Sequence, residues 1–76
     1  MKWYRVVLQS WRGNYRSAYH GDQHGTSLAD AKRRVELSFQ RNGWLDDEVT
    51  KFSIELEFDE KRTKHFDDND LWGPYI

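Results

Sequence analysis

Residues 2–20 read KWYRVVLQSWRGNYRSAYH. The segment 2–12 is rich in Val, Trp and Tyr, side chains that suit a pleated, half-buried surface, and it predicts a strand. Gly13-Asn14 follows as a two-residue hairpin turn, because glycine reaches the positive φ that such turns require. Residues 15–20 predict the returning strand. A turn of this length sets the register: Arg12 opposite Tyr15, Trp11 opposite Arg16, Leu8 opposite Tyr19. Alternation then sorts the faces. If Tyr4, Val6 and Leu8 face the core, Tyr19 joins them. The other face carries Trp3, Arg5, Val7, Trp11, Arg16, Ala18 and His20.

Downstream, HGDQHG (residues 20–25) has two glycines and no periodicity, and reads as a loop. Ser27 opens a helix: its hydroxyl can accept an orphan N–H, and Asp30 suits the positive helix end. Leu28, Ala31, Val35 and Phe39 recur at helical spacing, and Asn42-Gly43 supplies the stop. Leu37 points away from that stripe; with Trp44 just beyond the helix it offers a point of contact for a second copy or a partner. Residues 51–58 then alternate cleanly, with Phe52, Ile54, Leu56 and Phe58 against Ser53, Glu55 and Glu57. This predicts a third strand with one buried and one acidic face. Asp59 to Lys61 read as a turn, residues 62–66 as a fourth, weaker strand, and residues 67–76 as a tail without periodicity, which can pack on the domain or remain free.

The expected fold is a single α+β domain spanning residues 1–76. Its order is β-β-α-β-β, an antiparallel four-stranded sheet in the order 2-1-3-4 with one helix on one face. A chain of 76 residues has a thin core and no space for a deep internal cavity. Cysteine is absent, which removes disulfides, thiolate catalysis and cysteine-bound zinc, and points to a reducing cytoplasm. The longest apolar run, Val6-Val7-Leu8, is far too short to span a membrane.

Charge is unevenly spread. Residues 1–41 hold eight Lys or Arg against three Asp or Glu, and residues 42–76 hold four against ten. The two halves can attract each other within one fold or present two faces to different partners. The lead reading is a non-enzymatic binding protein that engages a protein or nucleoprotein partner, with no cofactor, as a monomer or homodimer. Trp3, Arg5, Trp11 and Arg16 are its candidate anchors, because Trp and Arg dominate binding hot spots, and Glu55 and Glu57 are the acidic counterpart. The plainer reading of the same residues is that Arg16 stacks on Trp11 as a cation–π pair and the tail covers Trp3. The row Glu55, Glu57, Asp59, Glu60, Asp67, Asp68 and Asp70 could also imitate phosphates before a basic groove.

Two alternatives stay open. Lys32, Arg33, Arg34 and Arg41 lie on the solvent side of the helix and would serve a nucleic-acid-binding module, although a pI near 6.3 is low for one. His20, Asp22 and His24 are metal-ligand types within five residues and would serve a small metal-dependent enzyme, although the His20–His24 spacing suits a metal only on a helix.

The helix opening Ser27-Leu28-Ala29-Asp30-Ala31-Lys32-Arg33, after an N-terminal hairpin and before a strand pair, resembles the layout of several small phage-encoded inhibitors, among them anti-CRISPR proteins that bind bacterial surveillance complexes. The resemblance implies a cofactor-free domain that blocks a nucleoprotein machine by occlusion. It transfers no particular residue. One member type of similar layout binds through basic residues, and the acidic second half here departs from that.

Overall fold

The computed structural model describes residues 1–76. β1 (Lys2–Arg12) and β2 (Tyr15–Gly25) form the hairpin, α1 (Leu28–Arg41) carries the chain back, β3 (Lys51–Phe58) completes the sheet, α2 (Glu60–Asp68) follows, and a 3-10 turn spans Gly73–Tyr75. The strand order is β2-β1-β3, with both neighbours of β1 antiparallel to it. Gly13 holds φ 63° at the first central position of the turn, as a type II′ hairpin requires. Arg12 pairs with Tyr15, Trp11 with Arg16 and Leu8 with Tyr19, the register expected from the turn. β3 lies beside β1 with Leu8 opposite Ile54 and Val6 opposite Leu56.

α1 begins as its sequence demands. The Asp30 N–H donates to Ser27 Oγ at 3.1 Å, and the Asp30 carboxylate accepts the Thr26 N–H at 2.9 Å, so two orphan donors are satisfied reciprocally. Gly43 sits at φ 77° beyond the last turn. Ala31, Val35 and Phe39 are buried, whereas Leu28, one turn too early to reach the sheet, is 53% exposed. Val6, Leu8, Val35 and Phe39 make the main core, with Trp44, Leu45, Ile54 and Leu56 packed around it. The segment between α1 and β3 is tied to the hairpin tip. Arg12 Nη2 reaches Gly43 O at 3.1 Å and Asp46 Oδ2 at 3.2 Å, and Thr50 Oγ1 donates to Trp11 O at 3.1 Å.

Two expectations are corrected, and a third point, left open by the residues, is decided. First, residues 20–25 are strand, and β2 continues to Gly25 opposite Lys2. The glycines there serve close packing instead of turning the chain. A Cβ at Gly21 would lie 2.7 Å from Tyr19 ring carbons, and one at Gly25 would lie 2.7 Å from the Ala31 nitrogen. Secondly, the sheet has three strands and the domain two helices, in place of four strands and one helix. Residues 62–66 are helical because Asp59 caps the segment, its Oδ1 accepting the Arg62 N–H at 3.0 Å. The pair Thr63 and Phe66, at i and i+3, turns toward β1 and the C-terminal segment. Thirdly, the tail is packed: Trp72 is buried and its indole N–H donates to Asp67 Oδ1 at 2.7 Å.

The second helix is anchored by one bond in particular. The Trp3 backbone N–H, which sits at the sheet end, donates to Thr63 Oγ1 at 2.8 Å in a buried setting. Ser10, in contrast, is fully buried in the core with a hydroxyl that has no partner. These two hydroxyls predict opposite effects. Thr63→Val leaves a buried amide without an acceptor and should destabilise by about 1–3 kcal/mol, whereas Ser10→Ala removes an unsatisfied group and should be neutral or stabilising by up to about 1 kcal/mol. Urea titrations with an unchanged m value check both signs.

Candidate functional site

Side chains at even positions of β1 face α1, so the odd positions form the opposite face of the sheet. Five residues of β1 lie along it: Trp3, Arg5, Val7, Gln9 and Trp11. Their neighbours follow from the register. Arg5 lies between Asp22 and Glu57, Val7 between His20 and Glu55, Gln9 between Ala18 and Ser53, and Trp11 between Arg16 and Lys51. α2 and the C-terminal segment cover the Trp3 end of this face, and the remainder is open.

Trp3 therefore does not behave as the exposed anchor that its alternation suggests. It is 6% exposed, stacked 5.9 Å from Trp72 and met edge-on by Phe66 at 5.2 Å, His24 at 5.3 Å and Tyr75 at 5.4 Å. The Arg62 guanidinium lies 4.4 Å above its ring and also reaches Asp22 Oδ2 at 3.0 Å. Trp3 is the centre of a second aromatic core, and the contact surface loses it.

The other candidates stay on the open face. Arg5 Nη2 pairs with Glu57 Oε1 at 3.1 Å. Trp11 is half-buried, with the Lys51 ammonium 4.8 Å from its ring, so the cation on this indole is Lys51 instead of Arg16. Arg16 is exposed and makes no ion pair, and the same holds for Glu55. Beside Glu55 lies an open depression of about 460 Å³, lined by Arg5, Val7, His20, Asp22, Glu55 and Glu57. Val7 is the apolar side chain that this face of the sheet contributes to it, and Arg5 against Asp22, Glu55 and Glu57 gives it both signs of charge.

The strand conformation of residues 20–25 puts His20, Asp22 and His24 on one face, as i, i+2 and i+4 of β2. They do not converge. Asp22 is held by Arg62, His24 is packed against Trp3 and Tyr75, and no three His, Cys, Asp or Glu side chains stand where they could hold a metal ion. Extending the alternation through Gly21 and Gly25 would have found this arrangement in the sequence; the glycines hid it.

Of the basic helix residues, Arg33 and Arg34 both pair with Asp30, at 2.9 and 3.1 Å. Lys32 and Arg41 are exposed without an ion pair, so the cationic stripe is half neutralised from within its own helix. The acidic row is likewise divided. Asp59 caps α2, Asp67 accepts the Trp72 indole N–H and Glu57 pairs with Arg5, which leaves Glu55, Glu60, Asp68 and Asp70 without such partners. Leu37 is exposed as expected, but Trp44 packs edge-on against Tyr19 and Phe39, each 6.0 Å away.

Several ionisable groups feel these surroundings. The Thr26 N–H, then the Arg33 guanidinium, hold the Asp30 carboxyl well below the usual carboxylate range, and the Arg12 hydrogen bond lowers Asp46. His24 is lowered by partial burial and then by the nearby Arg34 charge, with Asp30 opposing. No helix is long and apolar enough to cross a membrane. No protein-family model, curated protein or solved structure matches the chain.

The His24 shift has a definite sign. An imidazole whose folded pKa lies below its unfolded value favours the neutral form in the fold. Its contribution is therefore complete above the ordinary value near about 6.5 and is lost as pH falls through the folded pKa. The urea midpoint should fall between pH 7.5 and pH 5.5, and His24→Gln should flatten that fall.

Proposed function

We propose that this chain is a non-enzymatic binding protein whose contact surface for a protein partner is the open half of the sheet. The observation that carries this reading is the row Arg5, Val7, Trp11 and Arg16, with Glu55 and Glu57 beside it, left uncovered while α2 covers only the Trp3 end; Arg5, Val7, Glu55 and Glu57 line the 460 Å³ depression, and Trp11 and Arg16 lie beyond it toward the hairpin turn. An indole on a pre-formed strand surface loses little conformational freedom on binding, and a guanidinium supplies a planar fork of hydrogen-bond donors, which is how such residues come to dominate interfaces. Charges of both signs around Val7 select a partner by complementarity and exclude one of uniform sign.

This mixed pattern also separates the reading from nucleic-acid binding. A phosphate backbone calls for unpaired cations along a track, and here Asp30 occupies two of the four helix cations while Glu55 and Glu57 flank the sheet aromatics. An occluding inhibitor of a nucleoprotein machine is compatible with the surface when the contact is to a protein component. The hairpin, helix and β3 follow the order of elements behind the resemblance to phage-encoded inhibitors, and α2 departs from it.

Trp11→Ala combined with Arg16→Ala tests the proposal. The circular dichroism spectrum and urea midpoint should stay near those of the parent chain, since neither side chain is in a core. Capture of the partner from an extract of the source cells, at matched bait, should fall by about tenfold or more. Equal capture removes this face from consideration. Lys32→Ala with Arg41→Ala should leave capture unchanged, and binding that drops steeply with added salt and follows the helix variant instead would establish the nucleic-acid reading.

A further inference from the structure

β3 is an outer strand of the sheet, with β1 on one side and nothing on the other. The Asp59 N–H donates to Trp3 O at 2.9 Å, which makes residues 3 and 59 a hydrogen-bonded pair in the β1–β3 ladder. Such pairs alternate along an antiparallel ladder. The odd residues of β3 therefore spend their N–H and C=O groups on β1, and those of Phe52, Ile54, Leu56 and Phe58 point outward. An edge of this length is usually blunted by charged side chains, proline, a bulge or a covering element. Residues 51–58 contain no proline and pair with β1 without a bulge, and their charges, Lys51, Glu55 and Glu57, are of both signs, so they repel a foreign strand but can be matched by a second copy.

The side chains of the same even residues form an apolar row on the α1 side. α1 leans toward β2 and covers this row incompletely, leaving Phe52 49% and Phe58 45% exposed. The edge thus offers unpaired backbone and uncovered apolar surface together. A partner strand must supply both a matching set of outward N–H and C=O groups and a second apolar row, and β3 of another copy has both.

We propose that β3 is a self-association edge, on which two copies pair antiparallel about a two-fold axis through Ile54. Charge and ladder length together select this register. Centred on Ile54, Lys51 lies opposite Glu57 of the second copy on both sides of the axis, Ser53 opposite Glu55 and Phe52 opposite Leu56; Thr50 lies outside the new ladder, since its N–H donates to Trp11 O at 2.8 Å. Sliding two residues in one direction places Glu55 opposite its own copy, and centring on Leu56 places Glu55 opposite Glu57; like charges directly across a ladder are destabilising. Sliding the other way, onto Ser53, sets Lys51 opposite Glu55 but leaves Glu57 and Phe58 opposite residues 49 and 48, beyond the partner's strand, and shortens the ladder. An odd slide would set apolar residues against charged ones and lose the shared face. The Ile54 register also makes the central pair a hydrogen-bonded one, in keeping with the outward direction of the Ile54 backbone groups. The product is a six-stranded antiparallel sheet with both α1 helices on one side, and the interface is isologous. It shares Glu57 with the partner surface proposed above but uses the outer backbone edge of β3, so self-association and partner capture are read out separately.

The test uses the full chain in sedimentation equilibrium or light scattering across a concentration series. The parent chain should approach twice the 9.2 kDa chain mass. Lys51→Glu alone and Glu57→Lys alone each set two like charges across the axis and should weaken association by about tenfold or more. Mixing the two variants restores both opposite-charge pairs, so a heterodimer should form with affinity near that of the parent. Both side chains are exposed, and circular dichroism confirms that each variant is folded. A parent chain that stays at the monomer mass at about 1 mM (the weak end of meaningful association) overturns the proposal, as does a dimer indifferent to either reversal or a mixture that fails to re-associate.

Discussion

The eleven antiparallel pairs that join β1 to β2 are what the remainder of the molecule rests on. β1 is the central strand, and both its faces are used, but by different parts of the chain and at different places. α1 lies over Val6 and Leu8 on one side, while α2 and the C-terminal segment close on Trp3 at one end of the other. Neither helix would have a surface to pack on without that long straight ladder. A helix of nine residues rises about 14 Å and an eleven-residue strand about 37 Å, so α2 cannot reach along β1, and half of that face stays uncovered.

Ionic contacts in this chain mostly place backbone, and only a few are left free for recognition. Asp30 holds the start of α1 through Thr26 and then binds two arginines of the same helix. Asp46 accepts Arg12 and the Glu48 N–H, fixing the connection into β3. Arg62 bridges α2 to β2 through Asp22 while lying on Trp3. The groups left over, Arg16, Glu55, Lys32 and Arg41 among them, are divided between the sheet face and the helix. The sheet face combines them with an indole, and the helix does not.

Much of this was legible in the residues. Gly13-Asn14 gave the turn type and with it the β1–β2 register; alternation over 51–58 gave β3 and its faces; Ser27, Asp30 and Gly43 bounded α1. What could not be read from local pattern was tertiary override. Gly21 and Gly25 look like loop punctuation, yet they are strand residues because Tyr19 and Ala31 come too close for a side chain. Residues 62–66 resemble a weak strand in isolation, yet the Asp59 cap and the aromatic cluster about Trp3 make them helix. The face of Trp3 was correct and its exposure was not, because what buries it lies more than sixty residues away in sequence, in Phe66, Trp72 and Tyr75.

The Gly13-Asn14 turn orders events in time as well as residues in space. Joining β1 to β2 closes a loop of two residues, whereas bringing β3 alongside β1 encloses the whole stretch between Trp11 and Lys51. Chain entropy opposes the second closure more than the first, and hairpins zip within about 1–10 μs. Loop entropy thus favours closing the ribbon of β1 and β2, with its apolar side open to α1, ahead of docking β3. The late-arriving β3 is the strand left with an unsatisfied margin.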